Sequence, residues 1–376
     1  MTTSLTDVSV PFLDLRPSHE PIRKALMAQI GRLIDEDVFI NGADVAAFED
    51  VFAAYCGTRH GVGMASGLDA LRLCFMAAGL EPGDEVVLPA MTFIATAEAV
   101  TQAGGVPAFV DISDEDYGLD VTAVEDVLTP STRFVCPVHL YGQLSDMRSL
   151  AALADRHDLQ VVEDACQAHG AERDGLRAGT VGIAAAFSFY PGKNLGAMGD
   201  AGALVTDDDS LADAAIALRE HGQRAKYVHE REGYTARLDT IQALILLLKL
   251  PLLDRWNQER ADGAAFYQEA LDGVGDLVLP TVPSGSSPVW HRYVVRTREP
   301  QRLAEFLQAR GIGTARNYPQ ALHLMPAYAQ LGHAAGAFPL SEQLAAEALS
   351  LPLYPGIDRR QLDHVAASIG DFFGGA

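Results

Sequence analysis

The stretch VVEDACQ (161–167), followed by FSFYPGKN (187–194), decides the fold of this chain. In the first segment an apolar strand ends in the carboxylate of Asp164. In the second, another apolar strand ends in Ser188 and, after a short turn, Lys193. Short runs that are apolar throughout are typical of strands covered on both faces of a parallel sheet. Their polar ends should lie along one edge of that sheet, where open α/β folds bind ligands.

The rest of the first two thirds of the chain alternates apolar runs with stretches of helical periodicity. We predict strands over 62–65, 85–88, 106–110, 133–138, 160–163, 184–189 and 203–206. We predict helices between them over 69–78, 95–103 and 147–156. This alternation predicts an α/β fold with a large, mostly parallel sheet of seven strands and helices on both faces. The seventh run follows closely on the sixth, which allows one antiparallel strand.

The character of the sequence changes after residue 241. A long helical region extends to about 271, and a loop rich in Pro, Gly and Ser covers 280–288. Beyond the loop we predict strands over 293–297 and 314–318, and helices over 303–310 and from 361 onward. We therefore predict two domains: a large domain over 1–250, which includes a helical region over 16–55, and a smaller α/β domain over 251–376.

Composition excludes several classes of partner. The net charge of −22 argues against binding to nucleic acid or to an anionic membrane surface. The four cysteines are scattered without zinc-type spacing, so we predict no metal site and a reducing cytoplasm. Residues 1–10 lack the pattern of a secretion signal, and the most apolar stretch, 241–253, is broken by Lys249 and Pro251. We therefore expect no membrane association.

The two deciding segments suit a cofactor with a basic ring nitrogen, a phosphate and an aldehyde. Pyridoxal phosphate has all three groups, and its enzymes pair a lysine with an acidic partner for the ring nitrogen. We predict that Asp164 binds that nitrogen, and that Lys193 bonds to the aldehyde and later carries a proton. Asp164 could instead cap a helix, and Lys193 could be a surface lysine. The aromatic residues around Lys193 disfavour the latter interpretation.

A phosphate site is predicted where Ser66, Gly67 and Leu68 open a helix. Free N–H groups and the helix dipole attract anions there, and glycine permits close approach. Ser188 could add a hydroxyl donor, and Phe93 could stack on the cofactor ring, although an aromatic residue at such a position is often core. An ordinary capped turn would explain the helix start equally well.

Two further patterns leave alternatives open. GVGMASG (61–67) nearly matches a dinucleotide-binding fingerprint, but its third glycine is one residue late, and no acid ends the next strand. A dehydrogenase is therefore a weak rival. The segment 219–231 is locally basic and could bind a diphosphate-bearing substrate, or it could be a solvated loop of mixed charge.

Taken together, the motifs resemble the DegT/StrS type of pyridoxal-phosphate-dependent sugar aminotransferases, which have the fold type I architecture. The resemblance covers essentially the whole chain. Its motifs are PFLDL (11–15), SGLDAL (66–71), PGDEV (82–86), PVHLYG (137–142), EDACQAHG (163–170), FSFYPGKN (187–194), RLDTIQA (237–243), Tyr318-Pro319 and His323-Leu324.

The resemblance implies a role for each matching residue. Lys193 would bond to the cofactor aldehyde, Asp164 would pair with the ring nitrogen and Gln167 would lie near the ring hydroxyl. The ring would stack on Phe93, and Gly67, Leu68 and Ser188 would hold the phosphate. Arg237 would reach that phosphate from a partner subunit, which implies a homodimer with shared active sites. The substrate residues expected by resemblance are His323, Tyr318, Lys226 and Tyr227.

The activity implied is transamination of a nucleotide-linked keto-deoxysugar in amino-sugar or antibiotic biosynthesis. L-glutamate, or glutamine, would donate the amine and leave the cofactor as pyridoxamine phosphate. The resemblance favours a 3-keto sugar, with a 4-keto sugar or a cyclitol ketone as alternatives. Sugar dehydratases of this type carry His in place of the lysine, so Lys193 disfavours dehydration. A noncatalytic sensor with the same fold is the remaining alternative.

Overall fold

The strands of the protein group into one large and three small sheets. The computed structural model describes residues 8–375. The prediction that residues 1–10 are not a secretion signal therefore falls mostly outside the described residues. The strands are β1 (His60–Met64), β2 (Glu85–Pro89), β3 (Val106–Val110), β4 (Thr132–Val135), β5 (Gln160–Asp164), β6 (Glu172–Arg173), β7 (Leu176–Arg177), β8 (Ala184–Ser188), β9 (Gly202–Thr206), β10 (Gln223–Ala225), β11 (Val228–His229), β12 (Ser286–Ser287), β13 (Tyr293–Arg296) and β14 (Ala348–Leu351).

Helices precede, separate and follow these strands. The α-helices are α1 (Arg16–His19), α2 (Arg23–Glu36), α3 (Ala43–Cys56), α4 (Gly67–Ala77), α5 (Ala95–Ala103), α6 (Met147–His157), α7 (Asp209–Arg219), α8 (Thr240–Lys249), α9 (Leu253–Ala270), α10 (Pro300–Ala309), α11 (Pro339–Glu347) and α12 (Arg359–Gly374). Within residues 8–375, no helix is both long enough and apolar enough to cross a membrane.

The central sheet has seven strands in the order β1-β9-β8-β5-β4-β2-β3. All neighbouring pairs are parallel except those of β9, which runs antiparallel to both β1 and β8. The prediction of seven strands, mostly parallel, is therefore confirmed, and the strand that follows closely on its predecessor is the antiparallel one. The connection from β8 to β9 contains Lys193 and no crossover helix.

Two hydrophobic cores cover the faces of this sheet. Successive residues of a strand point to opposite faces. Val86 and Leu88 therefore pack with residues of α4, α5 and α7, whereas Val87 packs with residues of α3 and α6. Burial on both faces explains why the strands are apolar throughout. A third core joins α9, α10 and α12 to the antiparallel pair β13–β14.

Two local predictions were wrong in detail. The helical region over 16–55 is interrupted after α2, where Asp37 adopts a left-handed conformation (φ 55°) that ends the helix. The strand predicted over 314–318 does not form, and only Ala315 bridges to Ser350. Pro319 follows directly and has no N–H to extend such a ladder.

Candidate active site

A cavity of about 350 Å³ opens at the carboxyl ends of the central strands. Its volume lies in the range typical of small-molecule sites. Residues from the ends of β1, β2, β5 and β8 meet there, as the parallel topology requires. Eight of the residues predicted from the sequence line it: Gly67, Leu68, Phe93, Asp164, Gln167, Ser188, Lys193 and Tyr318.

One end of the cavity is the start of α4. Ser66 caps this helix, and its Oγ accepts a hydrogen bond of 3.0 Å from the N–H of Asp69. A Cβ on Gly67 would lie 2.6 Å from the Cβ of Ser188 and 2.9 Å from the Sγ of Cys166. Glycine is therefore required for this close packing. The N–H groups of the first helical turn have no intrahelical partner, so they form an anion site at the cavity wall.

Asp164 ends β5 and is held in one orientation by two donors. The hydroxyl of Thr96 donates to Oδ2 at 2.7 Å, and the N–H of Cys166 donates to Oδ1 at 3.1 Å. Turns rather than a helix follow Asp164, so it does not cap a helix. A buried, oriented carboxylate in a cavity is suited to bind a cationic ring nitrogen.

Lys193 follows a tight turn in which its N–H donates to the carbonyl of Tyr190 at 2.8 Å. Burial lowers the pKa of Lys193; the neighbouring Cys166 and Asp164 oppose this shift, and the positive charge of Arg292 adds to it. Burial also lowers the pKa of His291 well below its usual range, so this cavity residue is neutral. The surroundings thus favour the uncharged, nucleophilic form of the lysine amine.

Gln167, Tyr318 and Phe93 line the same cavity as Asp164. Gln167 accepts a hydrogen bond from the N–H of Tyr141 at 2.8 Å and donates to the hydroxyl of Tyr318 at 3.2 Å. The ring of Tyr318 lies 5.4 Å from that of Phe93, centroid to centroid. Phe93 is 51% exposed although it lines the cavity, so a face of its ring is free to pack against a ligand.

The four other predicted site residues do not line this cavity within the single chain. Arg237 donates to Glu220 at 2.7 Å, and the side chain of His323 is buried with its Nε2 3.0 Å from Glu342. Lys226 and Tyr227 lie on the exposed turn between β10 and β11, and Tyr227 is 81% exposed. Their roles in a shared site stay predictions.

The cavity residues that the sequence analysis missed include Thr96, Asp200, His291 and Arg292. Thr96 lies on the first turn of α5, shortly after Phe93. Its closeness in sequence to the end of β2 could have predicted that it lies at the cavity. His291 and Arg292 directly precede β13 in the C-terminal third of the chain. No local pattern connects them to the end of the large sheet.

Comparison with known proteins identifies the family. The model of the DegT/DnrJ/EryC1/StrS aminotransferase family matches residues 20–370. The chain is 45% identical over 363 residues to a dTDP-3-amino-3,4,6-trideoxy-alpha-D-glucose transaminase of Streptomyces venezuelae, covering 96% of each protein.

Solved structures agree with this result. The crystal structure of S. venezuelae DesV in complex with a ketimine intermediate superposes with a TM-score of 0.94 at 45% identity, covering 97% of this chain and 98% of that one. Bacillus subtilis NtdA, solved with bound cofactor PMP, gives a TM-score of 0.90 at 31% identity, covering 97% and 85%. This chain, with its fold type I architecture, therefore belongs to the DegT/DnrJ/EryC1/StrS aminotransferase family.

Proposed function

We propose that this protein is a pyridoxal-phosphate-dependent aminotransferase that moves an amino group from L-glutamate to a keto group of a nucleotide-linked deoxysugar. The observation that carries the proposal is the meeting of a helix start, an oriented carboxylate and a lysine of lowered pKa in one cavity. These three features match the phosphate, ring nitrogen and aldehyde of a single cofactor. Such an enzyme belongs in amino-sugar biosynthesis.

Different cavity residues would bind different groups of the cofactor. The N–H groups at Gly67 and Leu68, with the hydroxyl of Ser188, would bind the phosphate. Asp164 would pair with the ring nitrogen, Gln167 would lie near the ring hydroxyl and Phe93 would pack on the ring face. The cofactor, once bound, supplies an electron sink for the carbon that loses its proton. The tight contact between Gly67 and Ser188 supports the phosphate assignment.

Lys193 would carry the proton during transfer. Its Nζ would remove the proton from the amine-bearing carbon of the donor and return a proton on the cofactor side, after which a water molecule would supply the oxygen of the released 2-oxo acid. The second substrate, a keto sugar, then accepts the amine by the reverse series of proton movements. Burial lowers the pKa of Lys193, so a larger fraction of the amine is uncharged near neutral pH.

A 3-keto sugar is the acceptor we propose. The name of the S. venezuelae relative specifies a 3-amino sugar, and that protein is 45% identical to this chain over nearly its whole length. A 4-keto sugar or a cyclitol ketone is the alternative acceptor. Because a lysine occupies position 193, transamination is favoured over sugar dehydration and over a noncatalytic role.

We further propose a homodimer with shared active sites, in which Arg237 of one copy completes the phosphate site of the other. Large apolar side chains are exposed on and after α2, including Met27, Ile34, Phe39 and Ile40. Exposed apolar patches of this kind mark protein interfaces. In the single chain Arg237 pairs with Glu220, and its buried Nε has no hydrogen-bond partner among the residues that the structure describes.

We also propose the cytoplasm as the compartment. The cysteines Cys56, Cys74, Cys136 and Cys166 are all free, and the first three are buried. Free thiols in a protein of this size are typical of a reducing environment.

The first test is the visible absorption spectrum of the protein with pyridoxal phosphate, before and after addition of L-glutamate. We expect a cofactor band in the wild type that glutamate bleaches, with formation of 2-oxoglutarate. Lys193→Ala should lack the covalent cofactor band, whereas Lys24→Ala, which changes an exposed lysine of α2, should behave as wild type. A wild-type band that glutamate leaves unchanged would exclude glutamate as the donor. The absence of any band would refute the cofactor assignment.

The shared site has a separate test. A mixture of Lys193→Ala and Arg237→Ala chains forms some mixed dimers with one intact site, so inactive parents should recover about a quarter of wild-type activity after mixing and reassociation. No recovery, with mixed dimers shown to form, would mean that Arg237 and Lys193 of the same chain serve one site, so that the site is not shared.

A further inference from the structure

Arg292 is a cation of the cavity wall without an anionic partner. It lines the cavity. Within residues 8–375 its guanidinium donates one hydrogen bond, from Nη1 to the carbonyl of His291 at 3.2 Å, and no carboxylate contributes to the shift in its pKa. Its guanidinium carbon lies 5.0 Å from the centroid of the Phe12 ring. Most of its donors are therefore free to bind a ligand.

The backbone that presents Arg292 is held at several points. The N–H of Arg292 donates to the carbonyl of Tyr141 at 3.2 Å, and the N–H of Val289 donates to the carbonyl of Gly142 at 2.8 Å. Asn194, the neighbour of Lys193, donates to the carbonyl of Val289 at 2.7 Å. The arginine is thus positioned in advance, which reduces the entropy lost when a ligand binds.

The charges of the cavity define what Arg292 can bind. Among the described residues that line the cavity, its basic groups are Lys193, Arg292 and the neutral His291, and its carboxylates are Asp164 and Asp200. Asp164 already accepts a hydrogen bond from Thr96, and the proposed function gives Lys193 the role of carrying the proton. Burial lowers the pKa of Arg292, yet a guanidinium remains charged at neutral pH. A partly buried, unpaired cation of this kind favours an anion.

We propose that Arg292 binds the carboxylate attached to the reacting carbon of the amino donor. This inference rests on the proposed function and names the donor class, an α-amino acid. Arg292 lines the same cavity as Lys193 and Tyr318, so the arginine lies near the residues expected around the reacting carbon. Its planar fork pairs with both oxygens of a carboxylate. The cofactor phosphate has its own site at the start of α4, so it does not need Arg292.

Direct binding tests the inference without turnover. Glutarate, a dicarboxylate that has no amine to transfer, is titrated by calorimetry into protein loaded with pyridoxamine phosphate. Arg292→Gln should weaken binding about 100-fold, and Arg292→Lys about 10-fold, because lysine keeps the charge but loses the fork. The matched control is Arg133→Gln, since Arg133 is exposed and donates only to backbone carbonyls. Equal affinity in wild type and Arg292→Gln would overturn the inference.

Kinetics identify which carboxylate is bound. L-glutamate is compared with 4-aminobutanoate, which lacks the carboxylate on the reacting carbon. Arg292→Gln should lower kcat/KM for glutamate about 100-fold and leave that for 4-aminobutanoate unchanged. Equal losses for both donors would overturn the assignment to this carboxylate.

The half-reaction with the keto sugar tests whether Arg292 binds a carboxylate of the acceptor instead of the carboxylate of the amino donor. A uronic-acid keto sugar also carries a carboxylate, so the pyridoxamine-loaded enzyme is reacted with keto sugars that have and lack one. Unchanged rates for both in Arg292→Gln support the donor assignment. A loss confined to the uronic acid, with glutamate unaffected, would overturn it. If wild-type protein reacts with no amino donor, the proposed function itself fails, and the glutarate titration still reports on Arg292.

Discussion

Gly67 shows how the absence of one side chain builds the cavity. Alanine at this position would place its Cβ 2.6 Å from the Cβ of Ser188, so α4 and the end of β8 would have to separate. We predict that Gly67→Ala weakens binding of pyridoxal phosphate about 10- to 100-fold, since overpacking of this kind costs about 1–3 kcal/mol. Cofactor titration followed by absorbance measures the change.

A glycine elsewhere provides the control. Gly370 lies inside α12, and a Cβ there would meet no heavy atom within 4 Å. Gly370→Ala should leave cofactor binding unchanged and stabilise the helix by about 0.5–1 kcal/mol. If Gly67→Ala binds the cofactor as tightly as Gly370→Ala does, then the start of α4 does not hold the phosphate.

The sequence predicted best those cavity residues that directly end a strand. Asp164 and Ser188 close β5 and β8, and parallel topology alone brings such ends together. Thr96 reaches Asp164 only because of the angle at which α5 leaves β2, and residue spacing does not encode that angle. Arg292 depends on the path of a loop from the other part of the chain, so no local pattern could have found it.

At the scale of elements, the carboxylate of Glu163 fixes the end of β5. It accepts hydrogen bonds from the N–H groups of Gly179, Val181 and Gly182 at 2.7–2.9 Å, and its Oε2 lies 2.9 Å from Nε2 of His139. Burial alone would raise the pKa of Glu163, but hydrogen bonds from His139 and the backbone lower it overall. The strand that carries Asp164 is thereby joined to two loops.

Removal of the Glu163 carboxylate should therefore destabilise the end of β5 and the two loops bonded to it. We predict that Glu163→Ala lowers the free energy of unfolding by about 3–5 kcal/mol, because it leaves buried donors without an acceptor. Glu163→Gln keeps one acceptor oxygen and should cost less. Urea unfolding monitored by circular dichroism measures both variants. A loss below 1 kcal/mol in the alanine variant would show that water replaces the carboxylate.

Element boundaries were predictable where the hydrophobic pattern was strong. All seven strands of the central sheet were located from apolar runs, because burial on both faces demands them. The break after α2 was missed because a single left-handed residue, Asp37, causes it. The strand predicted near Ala315 would have needed to pair with the segment around Ser350, which is distant in sequence, and only one bridge forms there.

At the scale of the whole molecule, buried histidines make stability depend on pH. His169 is 1% exposed, and among residues 8–375 no group reaches full hydrogen-bond geometry with either ring nitrogen. Burial lowers the pKa of His169 to about 3, and the neighbouring Lys193 acts in the same direction. In the unfolded chain a histidine titrates near pH 6.5, so between these values the unfolded state binds more protons. The stability that His169 contributes is therefore complete above about pH 6.5 and is lost as the pH falls toward 3.

This dependence can be measured from the pH profile of unfolding. Between pH 7 and pH 5, His169 should account for a loss of about 2 kcal/mol, so the stability of His169→Gln should fall by that much less over the interval. Parallel profiles for the wild type and His169→Gln would show that the pKa of His169 is the same in the folded and unfolded chains.

Asn194 joins two parts of the molecule that are distant in sequence. Its Nδ2 bonds to the carbonyl of Val289, its Oδ1 lies 3.2 Å from Nδ1 of His291, and Lys193 is its neighbour in the chain. Thermodynamic linkage makes such a connection reciprocal: any factor by which cofactor loading changes anion affinity at Arg292 must also be the factor by which the anion changes cofactor affinity. If loading strengthens anion binding at Arg292, the enzyme would then hold its cofactor more firmly when donor is abundant.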